Sequence, residues 1–175
     1  IGLQNVSFGV GRVWNPTNLF NPRNAYAFEP DETFGFLGVT YTRHLTDTSD
    51  ATVVISQRED GTYKYAGRYK IALDVVELGL TGVSSDETRM LGFEMEGNLG
   101  ESGVEVRGEG AFVKTVLKNG ANAEENRELF QGIVGADYGF VDGITIVVEG
   151  LYSSETFSYE EIFLNYDSEA LPNLA

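Results

Sequence analysis

The sequence contains no cysteine, so it can form neither a disulfide framework nor a thiolate metal site. It has only 12 lysines and arginines against 27 aspartates and glutamates, and the net charge of −15 argues against nucleic acid as a partner. No apolar run approaches the roughly 20 residues that a membrane-spanning helix needs. At 175 residues, the chain is expected to be a single domain or part of one.

What the sequence has instead is an alternation of side chains with a period of two residues. The range 63–73 is the clearest case, because apolar and aromatic residues fall on one face of a strand and charged residues on the other. The same alternation recurs along most of the chain and predicts about nine strands. A short helix is conceivable only over 121–129. The predicted strands are 4–13, 34–44, 51–58, 63–73, 76–82, 88–98, 104–113, 130–140 and 144–152.

The turn residues agree with these faces. The ranges 59–61 and 141–143 are typical of three-residue hairpin loops with glycine in the left-handed position, and 101–102 of a two-residue turn. A slip of one residue would bring every side chain to the wrong face, so the agreement supports the register. The turn near 74–75 is weaker because it lacks glycine. The opposed pairs that follow are Ile55 with Tyr65, Tyr138 with Ile146, and Glu96 with Arg107.

The connections differ in length between the two ends of such a sheet. Short connections at one end and longer ones at the other are typical of outer-membrane barrels. The sequence therefore predicts an all-β fold, an antiparallel up-and-down transmembrane β-barrel or a partial barrel of about 8–9 strands. The short connections are 45–50, 74–75, 99–103 and 141–143, and the other end holds 14–33, 59–61, 84–87, 114–129 and the residues after 153.

Alternation alone does not say which face is wet. A soluble, secreted or periplasmic β-barrel or sandwich that binds a small ligand or a partner protein would bury its apolar face. Strands of about ten residues, aromatic residues near strand ends and dense charges of mixed sign on the polar faces favour a bilayer. Detergent dependence separates the two alternatives.

Residues 11–22 read Gly-Arg-Val-Trp-Asn-Pro-Thr-Asn-Leu-Phe-Asn-Pro. This run resembles a segment common in Gram-negative porin-like barrels, in which a strand ending in Gly-Arg leads into a loop with Trp and Pro. The ranges 99–109 and 135–138 resemble hairpins of the same proteins, and the chain is broadly similar to alginate-export and substrate-selective porins. The resemblance implies a place in the outer membrane, contact with the lipid bilayer and lipopolysaccharide, and no cofactor.

This chain departs from those proteins in three respects. They usually have a signal peptide, more strands and a final strand that ends in an aromatic residue, whereas this sequence ends Leu-Pro-Asn-Leu-Ala. We therefore expect a partial barrel, with a homo-oligomer as one possible assembly. The alternative is a closed eight-stranded barrel in which the first segment is a plug or a tail.

The predicted lumen supplies the first candidate site. Lys64, Arg68 and Lys70 form a basic stripe that faces an acidic wall, and such a transverse field selects solutes by charge and orientation. The function predicted from it is diffusion of small polar or charged solutes. Alternatively, these side chains only solvate the wall and pair with one another, Glu96 with Arg107 most clearly. The other lumen residues are Glu77, Glu94, Glu96, Arg107, Glu109, Asp137 and Glu149.

The second candidate site is the loop 14–33, which three prolines stiffen. Its aromatic side chains either form a constriction in the barrel mouth, or stack on a sugar, or hold a structural plug through ordinary apolar contacts. These side chains are Trp14, Phe20, Tyr26 and Phe28.

Catalytic and metal sites are poorly supported. A serine triad would have to use the single histidine, His44, and the sequence contains no Gly-x-Ser-x-Gly motif. The opposed Glu94 and Glu109 could act as an acid–base pair, but they are two of many carboxylates on the same face. No EF-hand pattern appears among the acidic loop residues. We expect no enzyme activity and no metal, and a structural barrel that conducts nothing is the third alternative.

Overall fold

The computed structural model describes residues 2–20, 35–58, 61–119 and 123–154. These residues form nine β-strands in one antiparallel sheet, in which the order of the strands in space is their order in the sequence. The strands are β1 (Gly2–Gln4), β2 (Phe36–Thr46), β3 (Ser49–Gln57), β4 (Tyr63–Leu73), β5 (Val76–Ser84), β6 (Thr88–Asn98), β7 (Val104–Asn119), β8 (Ala123–Gly139) and β9 (Thr145–Ser153).

The strand pairing keeps two unlike faces separate across the whole sheet. On one face, Leu80 lies opposite both Tyr69 and Phe93. On the other face, Glu94 lies opposite Glu109. The register shifts at one place among the described pairs, at the end of β2. We call these two surfaces the apolar face and the polar face.

The all-β class, the antiparallel up-and-down order of nine strands and the main registers are confirmed. The predicted strands 63–73 and 88–98 have the observed bounds, and all three predicted opposed pairs are partners in the sheet. The turn at 74–75 is present, with Asp74 at a positive φ in place of glycine. In the part of the chain that the structure describes, no pairing joins β9 to β1, so the sheet is open.

The predicted strand 4–13 is wrong beyond its first residue. The chain leaves the sheet after Gln4, and the residues that follow turn onto the polar face, where Phe8 and Val10 are buried. An extended segment with one packed side shows the same alternation as a paired strand, because successive side chains still point in opposite directions. We call residues 5–20 the strap.

The long loop predicted over 114–129 is also wrong. β7 continues to Asn119 and β8 begins at Ala123, so residues 123–129, which were considered for a helix, belong to a strand. Asn126, Arg127 and Glu128 put polar residues on both faces there. The alternation that marks a strand therefore disappears, although the backbone pairing continues.

At one end of the sheet, the four turns between consecutive strands are short, as predicted. They are residues 47–48, 74–75, 99–103 and 140–144. The opposite end holds 58–62, 85–87 and the connection between Asn119 and Ala123. The strap begins at that same end, where β9 also finishes. The difference between the ends is smaller than the sequence predicted, because the connection after β7 is short.

The hydrophobic core lies on the polar face, under the strap. Val54 and Ala111 are fully buried there, although both belong to a single-layered sheet. On the apolar face, by contrast, Val134 is 71% exposed and Phe112 is 57% exposed. The sheet therefore uses the strap to form its core and leaves the apolar face uncovered. The buried apolar cluster is Phe8, Phe20, Val54, Ala66, Val83, Met90 and Ala111.

The hairpin between β8 and β9 depends on Gly143, which has a φ of 83°. We expect Gly143→Val to lower the free energy of unfolding by about 1–2 kcal/mol, because an L side chain is strained in this conformation. The measurement is urea unfolding. Gly139→Val is the matched control, since Gly139 ends β8 just before this turn, has no positive φ, and a Cβ atom there would meet only the Thr145 Oγ1, at 3.8 Å. Equal losses in the two variants would contradict this account of the turn.

Candidate functional site

The basic stripe of β4 lies on the polar face, and its three side chains all have partners. The Arg68 Nε donates to Glu94 Oε1 at 2.8 Å, and Lys70 forms an ion pair with Glu77 on the neighbouring strand. The Lys64 Nζ donates to the carbonyl oxygen of Leu19 in the strap at 2.9 Å. The stripe was correctly placed on one face, but its charges are already bound by the protein itself.

Two aromatic rings of the strap cover the same stripe. The Lys64 ammonium lies 5.2 Å from the centre of the Phe20 ring, and the Arg68 guanidinium lies 5.6 Å from that of Phe8. The two rings pack edge to face with their centres 5.9 Å apart. Cations over aromatic faces are attracted by the ring quadrupole, more strongly where water is excluded. The strap is therefore held above β4 by more than apolar contact.

Glu109 is the main acceptor for the strap. Its side chain is buried, and one carboxylate oxygen accepts from the backbone N–H groups of Val10 and Gly11 at 2.8 and 3.1 Å. The other oxygen accepts from the backbone N–H and the hydroxyl of Thr17 at 2.7 and 2.8 Å. Burial of a carboxylate is costly unless hydrogen bonds compensate it, and here four donors do so. Glu109 thus fixes two separate parts of the strap.

Glu149, in the middle of β9, acts in the same way. Its carboxylate accepts from three consecutive backbone N–H groups, those of Arg12, Val13 and Trp14, at 2.9, 3.1 and 2.8 Å. A turn that points successive N–H groups to one point binds an anion, and here the anion is a side chain of the sheet. Glu109 and Glu149 therefore hold both ends of the segment 10–14.

Arg12 reaches from the strap into the acidic wall. Its guanidinium lies 2.9 Å from Glu105, 3.3 Å from Glu96 and 4.0 Å from Asp137, which belong to three adjacent strands. Without this cation, the three carboxylates would repel one another across the strands. The strap therefore supplies a positive charge where the sheet has an excess of negative charge.

The predicted pair of Glu96 and Arg107 needs a correction. The two residues are partners in the sheet, but Arg107 forms its ion pairs with Glu105, at 3.0 Å, and with Asp137. Glu96 pairs with Arg12 instead. The sequence could not reveal this exchange, because Arg12 approaches from a segment that was expected to lie in the sheet.

Two glycines allow the strap to approach this closely. A Cβ atom on Gly92 would lie 2.5 Å from the Thr17 Cγ2, which is too close for any side chain there. Gly9 has a φ of 94°, which lets the strap turn towards Glu109. The polar face is thus shaped to receive the strap, in addition to being charged to bind it.

The aromatic residues predicted to form a constriction are only partly described. Trp14 lies on the strap, 42% exposed, and Phe20 is buried in the core. Tyr26 and Phe28 lie outside the described residues. Phe20 is therefore a packing residue of the strap, whereas the role of the whole loop 14–33 remains a prediction.

Several residues of this site were missed at the sequence level. Phe8, Arg12 and Thr17 were considered part of a strand or of a loop. The cluster Asn15-Pro16-Thr17-Asn18 is a turn signal, and the backbone indeed folds back there through a hydrogen bond from Asn18 to Asn15. No such signal in the sequence identifies Glu109 and Glu149 as acceptors.

The predicted carboxylate pair Glu94 and Glu109 does lie across two strands, but each carboxylate has a different partner. Glu94 binds Arg68, and Glu109 binds the strap. Among the described residues, no three histidine, aspartate or glutamate side chains are grouped closely enough to hold a metal ion. The same part of the chain contains no helix with the length and apolarity to cross a membrane.

No protein-family model, curated protein or solved structure matches this chain. The functional interpretation therefore depends on the geometry of the two faces.

Trp14 is the only tryptophan of the chain and reports on the strap directly. We expect Glu109→Gln to release the strap, because an amide offers fewer acceptors to the four donors and would leave buried N–H groups unpaired. The expected loss of unfolding free energy is about 3 kcal/mol. Quenching of Trp14 fluorescence by acrylamide should increase.

The control is Glu77→Gln, which changes a carboxylate of the same face that pairs with Lys70. Quenching in this control should remain at the wild-type level. If Glu109→Gln leaves quenching and stability unchanged, Glu109 does not hold the strap.

Proposed function

We propose that this chain forms the wall of an outer-membrane β-barrel, with the apolar face towards lipid and the polar face towards a lumen for small polar or charged solutes. The observation that carries the proposal is the exposure of the apolar face. Leu80, Leu91 and Phe112 lie on three adjacent strands and are each more than half exposed, while the core lies on the opposite face. A soluble β-sandwich would cover such a surface.

The height of the apolar face fits a bilayer. On β7, apolar residues and glycines alternate on this face from Val104 to Phe112, and the next residue on it is Lys114. This range contains nine residues, similar to the 9–11 that a tilted strand needs to cross the hydrocarbon core. Tyr138 and Phe140 lie near one border and Phe112 and Phe130 near the other, which is the pattern of an aromatic girdle.

A barrel also requires that the edges of the sheet be paired. β1 and β9 are the edges in the described part, and strands outside it, or a second copy of the chain, would have to close the wall.

A second candidate is a barrel that conducts nothing. The strap favours it, because it occupies the polar face and binds carboxylates on β7 and β9 and a base on β4. The two candidates differ in whether water and ions pass beside the strap.

The membrane proposal predicts that the full chain requires detergent for solubility and floats with lipid vesicles in a density gradient, also after a carbonate wash. The apolar face is the reason, since it would otherwise be exposed to water. A monodisperse protein that stays soluble without detergent and remains at the bottom of the gradient would instead favour the soluble ligand-binding alternative.

The channel proposal is tested by planar-bilayer recordings of the wild type and of Glu109→Gln. Conductance in the wild type supports a channel, whereas conductance in Glu109→Gln alone identifies the strap as a plug and favours the barrel that conducts nothing. Absence of conductance in both, in a protein that floats with vesicles, favours the structural barrel.

Removal of Lys64 and Lys70 together should make the channel more selective for cations, because the polar face already has more acidic than basic side chains. The reversal potential in a KCl gradient measures this change. A triple variant that also carries Arg68→Gln removes all three bases of the stripe. The double variant is used first because it keeps Arg68, the partner of the buried Glu94. Arg43→Gln on the apolar face of β2 is the control, and an equal shift in this control would reject the stripe as a filter.

A further inference from the structure

The apolar face is not flat, because a groove of about 830 Å³ crosses it over β5 to β9. It is lined by Leu78, Phe93, Met95, Phe130, Val134 and Tyr152. Its floor includes two open glycines, Gly108 and Gly150, which lie on either side of Val134. A Cβ atom on Gly108 would have a single neighbour, the carbonyl oxygen of Ile133 at 3.8 Å. The groove thus lies where two glycines leave space between large apolar side chains.

A second cavity of about 480 Å³ lies on the same face, nearer to the loop between β5 and β6. Phe130 lines both cavities, so the two are neighbours on the apolar face. Leu91 and Phe112 form the walls of the second cavity, and Arg89 and Lys114 lie at its far end. The complete feature is a pair of neighbouring apolar cavities on the sheet surface, with two bases at one end. We call it the apolar groove.

The two bases, Arg89 and Lys114, create a local positive charge that an anion would compensate. Arg89 lies directly opposite Lys114 in the sheet, and like charges in that position repel each other. Glu128 offsets Lys114 at 2.7 Å, but in the described part of the chain Arg89 forms no ion pair. The local charge is therefore positive, although the chain as a whole has a net charge of −15.

The length of the apolar groove fits one lipid chain. Arg89 and Met95 are six residues apart on β6, which corresponds to about 20 Å along the strand. Half of the hydrocarbon core of a bilayer is about 15 Å thick, and a strand tilted by about 45° covers a similar depth in about 20 Å. An acyl chain that begins at the bases would therefore end near the bilayer midplane.

We propose that the apolar groove binds one anionic phospholipid, with an acyl chain over the glycine floor and the phosphate between Arg89 and Lys114. This inference rests on the proposed function, since it places the apolar face in lipid. Phenylalanine and tyrosine rings would contact the acyl chain of the lipid, and the two bases would donate hydrogen bonds to its phosphate. The overall negative charge of the protein repels anionic lipids elsewhere on its surface, so a preference for them would have to come from a local site.

The test uses the full chain in phosphatidylcholine vesicles, with spin-labelled phosphatidylglycerol or spin-labelled phosphatidylcholine of the same acyl chains as probe. Electron spin resonance gives the association constant of each probe at the protein surface. We expect phosphatidylglycerol to be preferred about fivefold, since one base near a membrane surface contributes about that factor. Arg89→Gln should abolish the preference, and Arg43→Gln, which removes another outward base, should keep it.

The glycine floor is tested by Gly108→Leu, which fills the apolar groove without a steric conflict in the sheet. The number of immobilised lipids should fall by about one per chain, as expected for a single site. Gly67→Leu is the matched control, because Gly67 lies on the same face outside the groove and has open space around it.

Equal effects of each variant and its control, or no preference for phosphatidylglycerol in a protein that floats with vesicles, would overturn the lipid site and leave the membrane proposal standing. A dimer that Gly108→Leu dissociates would identify a second copy of the chain as the occupant and would also overturn it. A protein that fails to float overturns both proposals.

Discussion

The structure depends on one constraint, a register that eight consecutive strand pairings maintain apart from one shift at the end of β2. Because side chains alternate, a shift of β6 by one residue against β5 would bring Glu94 to the apolar face and Phe93 to the polar face. The turns maintain this constraint: Gly143 and Asp74 adopt positive φ values in tight connections that leave little freedom for a slip. The two faces can then have opposite chemistry over nine strands, which both the strap and the apolar groove require.

The strap compensates the excess of negative charge on the polar face, which would otherwise be compensated by water alone. The carboxylates of this face outnumber its bases, and the strap brings backbone N–H groups to Glu109 and Glu149 and a guanidinium to the wall around Glu105. Backbone donors suit this purpose because they satisfy a buried anion without adding a further side chain to pack. The same contacts orient Phe8 and Phe20 over the small residues of the core.

The sheet was predictable from the sequence wherever one face of a strand is apolar and the other polar. β4 and β6 are of this kind, and their bounds follow directly from the alternation. The prediction failed where that contrast is absent, as over 114–129, where polar residues occupy both faces. It also failed over 4–13, because alternation indicates an extended chain but not its hydrogen-bonding partner. The acceptor roles of Glu109 and Glu149 depend on contacts between residues about a hundred positions apart, which no local pattern encodes.

The strap imposes an order on assembly. Val10 and Trp14 precede their acceptors by 99 and 135 residues, so the site that receives them does not exist until β7 and β9 have joined the sheet. Contacts of such large sequence separation form late, because the entropy of closing a long loop must be overcome first. Among the described residues, a segment that is synthesised before nearly all the others is thus the last to reach its final position. Until then, the carboxylates of the growing sheet remain hydrated and open to any other extended chain with free N–H groups.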